Sequence, residues 1–427
     1  MGIAVRPRPT GLLAGRSAAV RIGAVAVAAV IVAEAAVWVM RPRGEILDPA
    51  TVSEHAYFSQ AQLDRASDFR DGQRLLGLGT LAVEGAVLVV LAIWRPAPLR
   101  TALRRASRRP LLGAAAVGAG ISLTLAIVGV PFGIAANERA RDVGLSTQEL
   151  GSWLFDAGKS AAIGAALAAI GATIAVAMLR RLGRYWWIGG SVAVVLFAVI
   201  FSWLGPVLVA PLFNKFQELP PGKTRSQVLR LGEQAGVKIG HVYRVDASRR
   251  STAINAYVDG LGPSKRVVVF DNTLRQLPPA QLRSVLAHEL GHVKGNDIVR
   301  GIAWLALVAP LGVLFIQLAG GALARRSGDD PHSPAALPAL ALSIAVALFV
   351  LGIASNQLSR RVEARADSFA LELTKDPQAL IGVQKKLALT NVAEADPPAV
   401  LQWLFGTHPD TMQRIGAAVT FARQQRR

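Results

Sequence analysis

Seven long apolar stretches recur along the chain, at 22–40, 75–94, 111–136, 160–179, 185–210, 301–324 and 335–356. Each can supply most or all of the about 20 helical residues that cross the hydrocarbon core of a bilayer. No internal repeat relates them, and none shows the paired interruptions of a transporter built from repeats. The first lies near the N-terminus with no small-residue cleavage site after it, so it is expected to be a retained anchor. Glu34 and Glu84 fall within the first two stretches. A carboxylate at that depth is paired toward the interior, lines a cavity or is functional, and the pattern alone leaves these three readings open.

The polar connections carry an orientation signal. Arg6, Arg8, Arg16 and Arg21 precede the first stretch; Arg95, Arg100, Arg104, Arg105, Arg108 and Arg109 separate the second from the third; Arg180, Arg181 and Arg184 separate the fourth from the fifth. The alternate connections, 41–74 and 137–152, are mixed or acidic. Because arginine-rich short loops stay in the cytoplasm, the N-terminus is expected there and the polar segment after the fifth span outside.

That segment, 211–300, changes period. An amphipathic helix is expected over 223–236, followed by short strands at 241–245, 253–258 and 266–270. Residues 260–265 have turn composition, which predicts a hairpin between the last two strands. A helix then begins near Pro279, a residue that fits a first helical turn, and is expected to run on into the sixth span. Past the seventh span the helical pattern continues through Glu363 and Asp367. The chain so divides into an N-terminal membrane region (1–210), a first polar segment (211–300), spans six and seven (301–356) and a C-terminal polar segment (357–427).

The helix after Pro279 carries His288-Glu289-Leu290-Gly291-His292. Residues four apart share a helix face, so both imidazoles converge on one ion while Glu289 stands beside them, free to hold a water as general base. A chance pair of histidines on an exposed helix is the plain alternative. Zinc needs a third protein ligand and an open position, and Glu363 is the candidate. It lies on a second helix that emerges on the same side, two spans later, so the site is expected at the membrane surface. Asp367, one turn on, is placed to hold a ligating histidine by its far nitrogen. The competing account of Glu363 and Asp367 is a solvated face paired with Arg360, Arg361 and Arg365. His408 stands as an oxyanion donor or as part of a capped His-Pro loop, and Arg414 as a partner of Glu363 or of a substrate carboxylate. His55, His241 and His332 show no metal spacing.

Composition sharpens this. The chain has 427 residues, 52% of them hydrophobic, which is too apolar for a soluble enzyme of this size. Its net charge of +19 is spread between apolar runs rather than on an aromatic-interleaved patch, so it fits a membrane surface and not nucleic acid. The absence of cysteine excludes disulfides, thiolate metal sites and a cysteine nucleophile.

From Pro211 onward the residues resemble the type-1 CAAX prenyl proteases, membrane zinc endopeptidases of the gluzincin kind. The resemblance rests on Pro211-Leu212-Phe213-Asn214-Lys215-Phe216, Asn255-Ala256-Tyr257 followed by Gly260-Leu261-Gly262, Lys265 to Asp271, the His288–His292 motif, Ser359-Arg360-Arg361 with Glu363 and Asp367, and Thr407-His408-Pro409. It implies a mainly α membrane protein with seven transmembrane helices around a chamber and a zincin-like α+β catalytic domain at one membrane face. It also implies one zinc per chain on His288, His292 and Glu363, with base chemistry at Glu289 and with Asp367, Arg361 and Arg414 behind the ligands. Substrate contacts are implied from Asn255, Ala256, Tyr257 and His408, with an edge strand near 255–258 that holds an extended peptide. The expected partners are the bilayer and a peptide or protein substrate, membrane-anchored or CAAX-like, with the chain a monomer. In eukaryotic members the catalytic side faces the cytosol, whereas the arginines here put it outside. The composition looks bacterial, so the bacterial plasma membrane is the expected location. The rival classes are a non-catalytic membrane receptor or lipid-binding chamber with a structural zinc, which has no need of Glu289, and a seven-helix transporter.

Overall fold

The protein is described by a computed structural model covering residues 11–259 and 266–427. Arg6, Arg8 and the 260–265 turn lie outside the described residues.

The apolar stretches form helices α1 (Gly11–Met40), α2 (Gln60–Val89, extended by a π turn to Trp94), α4 (Pro110–Asp142), α5 (Leu150–Leu182), α6 (Trp186–Leu204), α11 (Asp297–Arg326) and α12 (Leu337–Thr374). Between α2 and α4 lies a short helix, α3 (Ala97–Ser107). The helical run over residues 150–213 spans 64 residues, roughly 95 Å at helical rise and three bilayers' worth of hydrocarbon. It folds back on itself at Gly183, whose positive φ of 52° favours glycine and breaks the helix, so that α5 and α6 pack together as two spans. The spans therefore number seven. Neighbouring contacts close a ring, α2 to α4 to α5 to α6 to α11 to α12 and back to α2, with α1 packed on α11 and α12. Small residues permit the closest crossings: a Cβ at Gly118 of α4 would meet the Ala168 carbonyl of α5 at 2.6 Å. Glu34 accepts a hydrogen bond from Gln357 at 2.9 Å and so ties α1 to α12.

After a single-turn helix α7 (Ala210–Phe213), the polar segment forms a four-stranded sheet with α8 (Lys223–Gln234) and two further helices, α9 (Asp271–Gln276) and α10 (Pro279–Lys294). The strands are β1 (Phe216–Glu218), β2 (His241–Val245), β3 (Ala256–Asp259) and β4 (Arg266–Phe270), in the order β1-β2-β4-β3. β3 and β4 pair antiparallel, as the hairpin pattern predicts, whereas β2 and β4 are parallel. Leu282, Leu286 and Leu290 lie one turn apart on α10 and are buried with Val228 and Leu231 of α8 and Val242, Val267 and Val269 of the sheet. Each leucine buried this way contributes about 1.5–3 kcal/mol and fixes which face of α10 is turned away from the sheet.

The expected continuation of α10 into the sixth span does not occur. α10 stops at Lys294, and Asn296 takes a left-handed φ of 53° before α11 starts at Asp297. The chain turns a corner there, where the extrapolation assumed one straight rod. In contrast α12 is one 38-residue helix that leaves the apolar zone and carries Glu363 and Asp367 with it. The chain closes with α13 (Pro377–Thr390), α14 (Ala399–Phe405) and α15 (Thr411–Gln424).

Candidate metal centre

With the leucine face of α10 on the sheet, His288, Glu289 and His292 face α12 and the segment before α15. Gly291 lets the helices approach, since a Cβ there would stand 3.1 Å from Cα of Ala366. At this crossing Nε2 of His288 lies 3.2 Å from Oε2 of Glu363, Nε2 of His292 lies 3.5 Å from Oε1, and the two Nε2 atoms are 3.1 Å apart. One donor atom from each residue fits within 4.8 Å of the others, the only such group of three among the described residues.

The outer nitrogens set the tautomers. Nδ1 of His288 stands 2.8 Å from Oδ1 of Asp367 and Nδ1 of His292 3.0 Å from Oδ2 of Asp297. A carboxylate only accepts, so each Nδ1 carries a proton, which reserves each Nε2 lone pair for a metal once any proton there has left. Two lone pairs and a carboxylate then aim at one point, and Oε2 of Glu363 is sealed from solvent without a hydrogen-bond donor. Such a cluster is stable only with positive charge among its members, supplied by a proton on His288 in the metal-free chain and by a metal ion when that proton leaves. The two-nitrogen, one-oxygen donor set fits zinc and leaves the fourth tetrahedral position open.

Charge around the centre is arranged in layers. Arg414 grips Asp367 with two hydrogen bonds, Nε to Oδ2 at 2.7 Å and Nη2 to Oδ1 at 2.6 Å. This position behind the ligands is the one the family resemblance implies, but its partner is the carboxylate behind His288 and not Glu363, because α15 reaches the far side of that imidazole. Asp297 is held by Arg365 at 2.8 Å and by Arg300 at 3.3 Å. Burial alone lowers the pKa of His288, but the adjoining Asp367 carboxylate overrides it and raises the value to about 10 in the metal-free chain. Burial pushes the Glu289 carboxyl above its usual range. Glu289 makes no hydrogen bond with any described residue, which leaves its oxygens for a ligand.

His408 projects from the segment before α15, its Nε2 3.3 Å from Oε1 of Glu363 and its ring half exposed. Burial of its inner side lowers its pKa and favours the neutral ring. Thr407 contacts Nδ1 at 2.8 Å, and Gln402 donates to the His408 carbonyl at 2.6 Å. Asp410 caps α15 by accepting from the Gln413 amide, so the capped His-Pro loop and the site contact are both present. Arg361, expected behind the ligands, is exposed and only lines the neighbouring groove. Its predecessor Arg360 points inward and holds the carbonyls of Gln402 and Gly406 at 3.1 and 2.5 Å.

Asn255 immediately precedes β3, and Ala256 and Tyr257 open it; β3 is the edge strand beside α10. The exposed Asn255 accepts from the Ala256 amide with its own side chain at 2.9 Å. Asp297, Arg365 and Arg360 are site residues that the sequence pattern does not single out. Asp297 sits five residues past His292, and only the corner at Asn296 turns it back; its sequence neighbourhood shows a charged residue at the start of a span and nothing more.

Comparison with known proteins agrees with this geometry. The profile of peptidase family M48 matches residues 218–422, and that of the CAAX prenyl protease N-terminal region, five membrane helices, matches residues 55–215. An uncharacterized metalloprotease, YhfN, from Bacillus subtilis is 30% identical over 300 residues, which cover 69% of this chain and 70% of the relative. A CAAX prenyl protease 1 homolog from Oryza sativa is 31% identical over 229 residues, and this chain spans only 52% of its length. The crystal structure of S. mikatae Ste24p superposes with a TM-score of 0.76 at 17% identity, covering 93% of this chain and 98% of that one, and so shares the fold. Matched along two thirds of a relative at this identity, with the His-His-Glu group at its centre, the chain belongs to peptidase family M48 and is a membrane metallopeptidase.

Proposed function

We propose that the protein is a zinc endopeptidase that cuts membrane-associated or C-terminal, CAAX-like peptides at the membrane surface, with one zinc held by His288, His292 and Glu363. Bound there, zinc supplies Lewis acidity: it polarises a peptide carbonyl and makes a water acidic enough to attack near neutral pH.

The residues divide the remaining work. Glu289 takes the proton of the attacking water and returns it to the leaving amine, a role suited to a carboxylate without a protein partner and with a raised pKa. His408, on the open side of Glu363, donates to the oxygen that gains charge. Asp367 and Asp297 keep both imidazoles in the tautomer that binds metal. β3, the outer strand of the sheet, lies against the backbone of an extended substrate, while Asn255 steers its approach; backbone pairing tolerates varied side chains.

The observation that carries this reading is the convergence of two tautomer-fixed imidazoles and an unsatisfied, buried carboxylate oxygen beside a free glutamate. Its test is metal content and peptide turnover measured together in the purified chain, using a prenylated CAAX peptide and its unprenylated counterpart. About one zinc per chain, greatly reduced by Glu363→Ala, with cleavage of either peptide, is the expected result. Absence of zinc in the wild-type chain rejects the centre, and zinc without cleavage of either peptide rejects the substrate class.

A further inference from the structure

The end of the helical ring opposite the metal centre carries a surface that the chemistry does not use. Three turns meet there. Arg95, left-handed at φ 51°, closes α2, forms an ion pair with Asp329 and donates to the Ala335 carbonyl. Gln317 of α11 binds the Arg184 carbonyl at 3.0 Å and the Trp187 amide at 3.2 Å, which brings in the turn between α5 and α6. Helix α3 lies against α4 and the 3-10 turn Pro334–Ala336 of the same group.

α3 is amphipathic in a particular way. Leu103 is buried and Leu99 half-buried against the protein, whereas Arg100, Arg104 and Arg105, with Arg108 and Arg109 just beyond the helix, are exposed. None of these five guanidiniums meets a carboxylate or a carbonyl among the described residues. Four arginines toward the metal end behave differently: Arg70 is spent on the carbonyls of Asn391 and Val392, Arg74 on Asp71 and Glu394, Arg65 on the Val143 carbonyl and Arg139 on the Asp68 carbonyl.

Five like charges within ten residues need counter-charge from outside the chain. Their position identifies it. α3 joins two membrane spans and docks its apolar side on protein, so its charged side lies at the depth of the lipid headgroups. Trp94, 79% exposed, ends the preceding span, and the exposed Tyr185 stacks under Arg184 at 4.7 Å, the aromatic belt of a membrane interface. Anionic headgroups are the fixed negative charges at that depth, and they are concentrated where short arginine-rich loops remain, in the cytoplasmic leaflet. We propose that α3, with Arg108 and Arg109, is a docking surface for anionic phospholipid headgroups of the cytoplasmic leaflet, which places the metal centre on the opposite side of the membrane.

The test uses full-length protein in detergent, titrated with phosphatidylglycerol or phosphatidylcholine and examined by native mass spectrometry. The wild-type chain is expected to retain phosphatidylglycerol roughly tenfold better, and R100Q/R104Q/R105Q/R108Q to lose that preference. Equal retention of both lipids by the wild-type chain, or an unchanged preference in the variant, overturns the proposal. Because the chain contains no cysteine, sidedness can be read independently by single substitutions in otherwise native protein. A membrane-impermeant maleimide on intact cells is expected to label Gln425→Cys, and to reach Thr101→Cys only after permeabilisation. Labelling of position 101 in intact cells, or of position 425 only after permeabilisation, overturns it.

Discussion

At the scale of the residue, the proposed centre combines a base with ligands that are held from behind. Glu289→Gln keeps the size of the side chain and removes its basicity, so peptide turnover should fall by about 10²–10⁴-fold while bound zinc stays near the wild-type amount; turnover within a few-fold of wild type would remove Glu289 from the base role. Asp297→Ala should leave His292 without its tautomer lock and weaken zinc binding by roughly 10–100-fold, measured by competition with a chelator. The raised pKa of His288 has its own consequence. A proton sits on this ring in the metal-free chain at any pH below about 10 and must leave before zinc binds. Zinc affinity should thus climb with pH, by up to about tenfold per unit from this ring between pH 6.5 and 8.5. For the metal-free fold the sign is opposite: stabilisation by the protonated ring is complete below its ordinary value of 6.5 and is lost as pH rises through about 10.

At the scale of the element, the site is a crossing of two helices, and its spacing is set by a residue with no side chain. Gly291→Val would drive a branched side chain into the backbone of α12 at Ala366, where a Cβ alone already stands 3.1 Å from Cα. We expect a loss of about 1–3 kcal/mol and weaker zinc retention, because the ligands on α10 move away from Glu363. Gly352→Val on α12, where a Cβ meets nothing within 4 Å, is the control and should leave the melting temperature nearly unchanged. Equal behaviour of the two variants in thermal denaturation would mean that the crossing does not govern the site. The α10–α11 corner works similarly: a left-handed Asn296 costs backbone energy, and it returns Asp297 to the ring of His292.

At the scale of the whole molecule, the proposed zinc would join the sheet subdomain to the last membrane helix. α10 is rooted in the sheet core and α12 among the membrane spans, so a bound ion would add a cross-link to the packing and to the His288–Asp367 and Arg365–Gly291 contacts that already join them. Removing it with a chelator should lower thermal stability, by about 4 kcal/mol where free zinc exceeds its dissociation constant 1,000-fold. Glu363→Ala should melt at the same temperature with or without chelator. A wild-type chain indifferent to chelation would show that the helices hold the crossing unaided.

What the chain's pattern settled by itself was whatever depends on local periodicity and on residues close in sequence. The seven spans were legible because about 20 apolar residues in a row have few alternatives in a bilayer, and the motif because residues four apart must share a helix face. The hairpin of β3 and β4 followed from two apolar runs around a turn. Glu363 and Asp367 could be named as partners of the motif because α12 runs straight from the apolar zone, so distance along the sequence translates directly into distance in space. The tertiary structure decided what that translation cannot reach. It placed Arg414 on Asp367 and turned Arg361 to solvent while Arg360 faces inward, since such choices depend on helix rotation. It brought Asp297 to His292 through a single backbone corner, which no periodicity announces. Local pattern dictates which elements form, but the pairing of buried charges is set by where those elements cross, and that is fixed by packing across the whole chain.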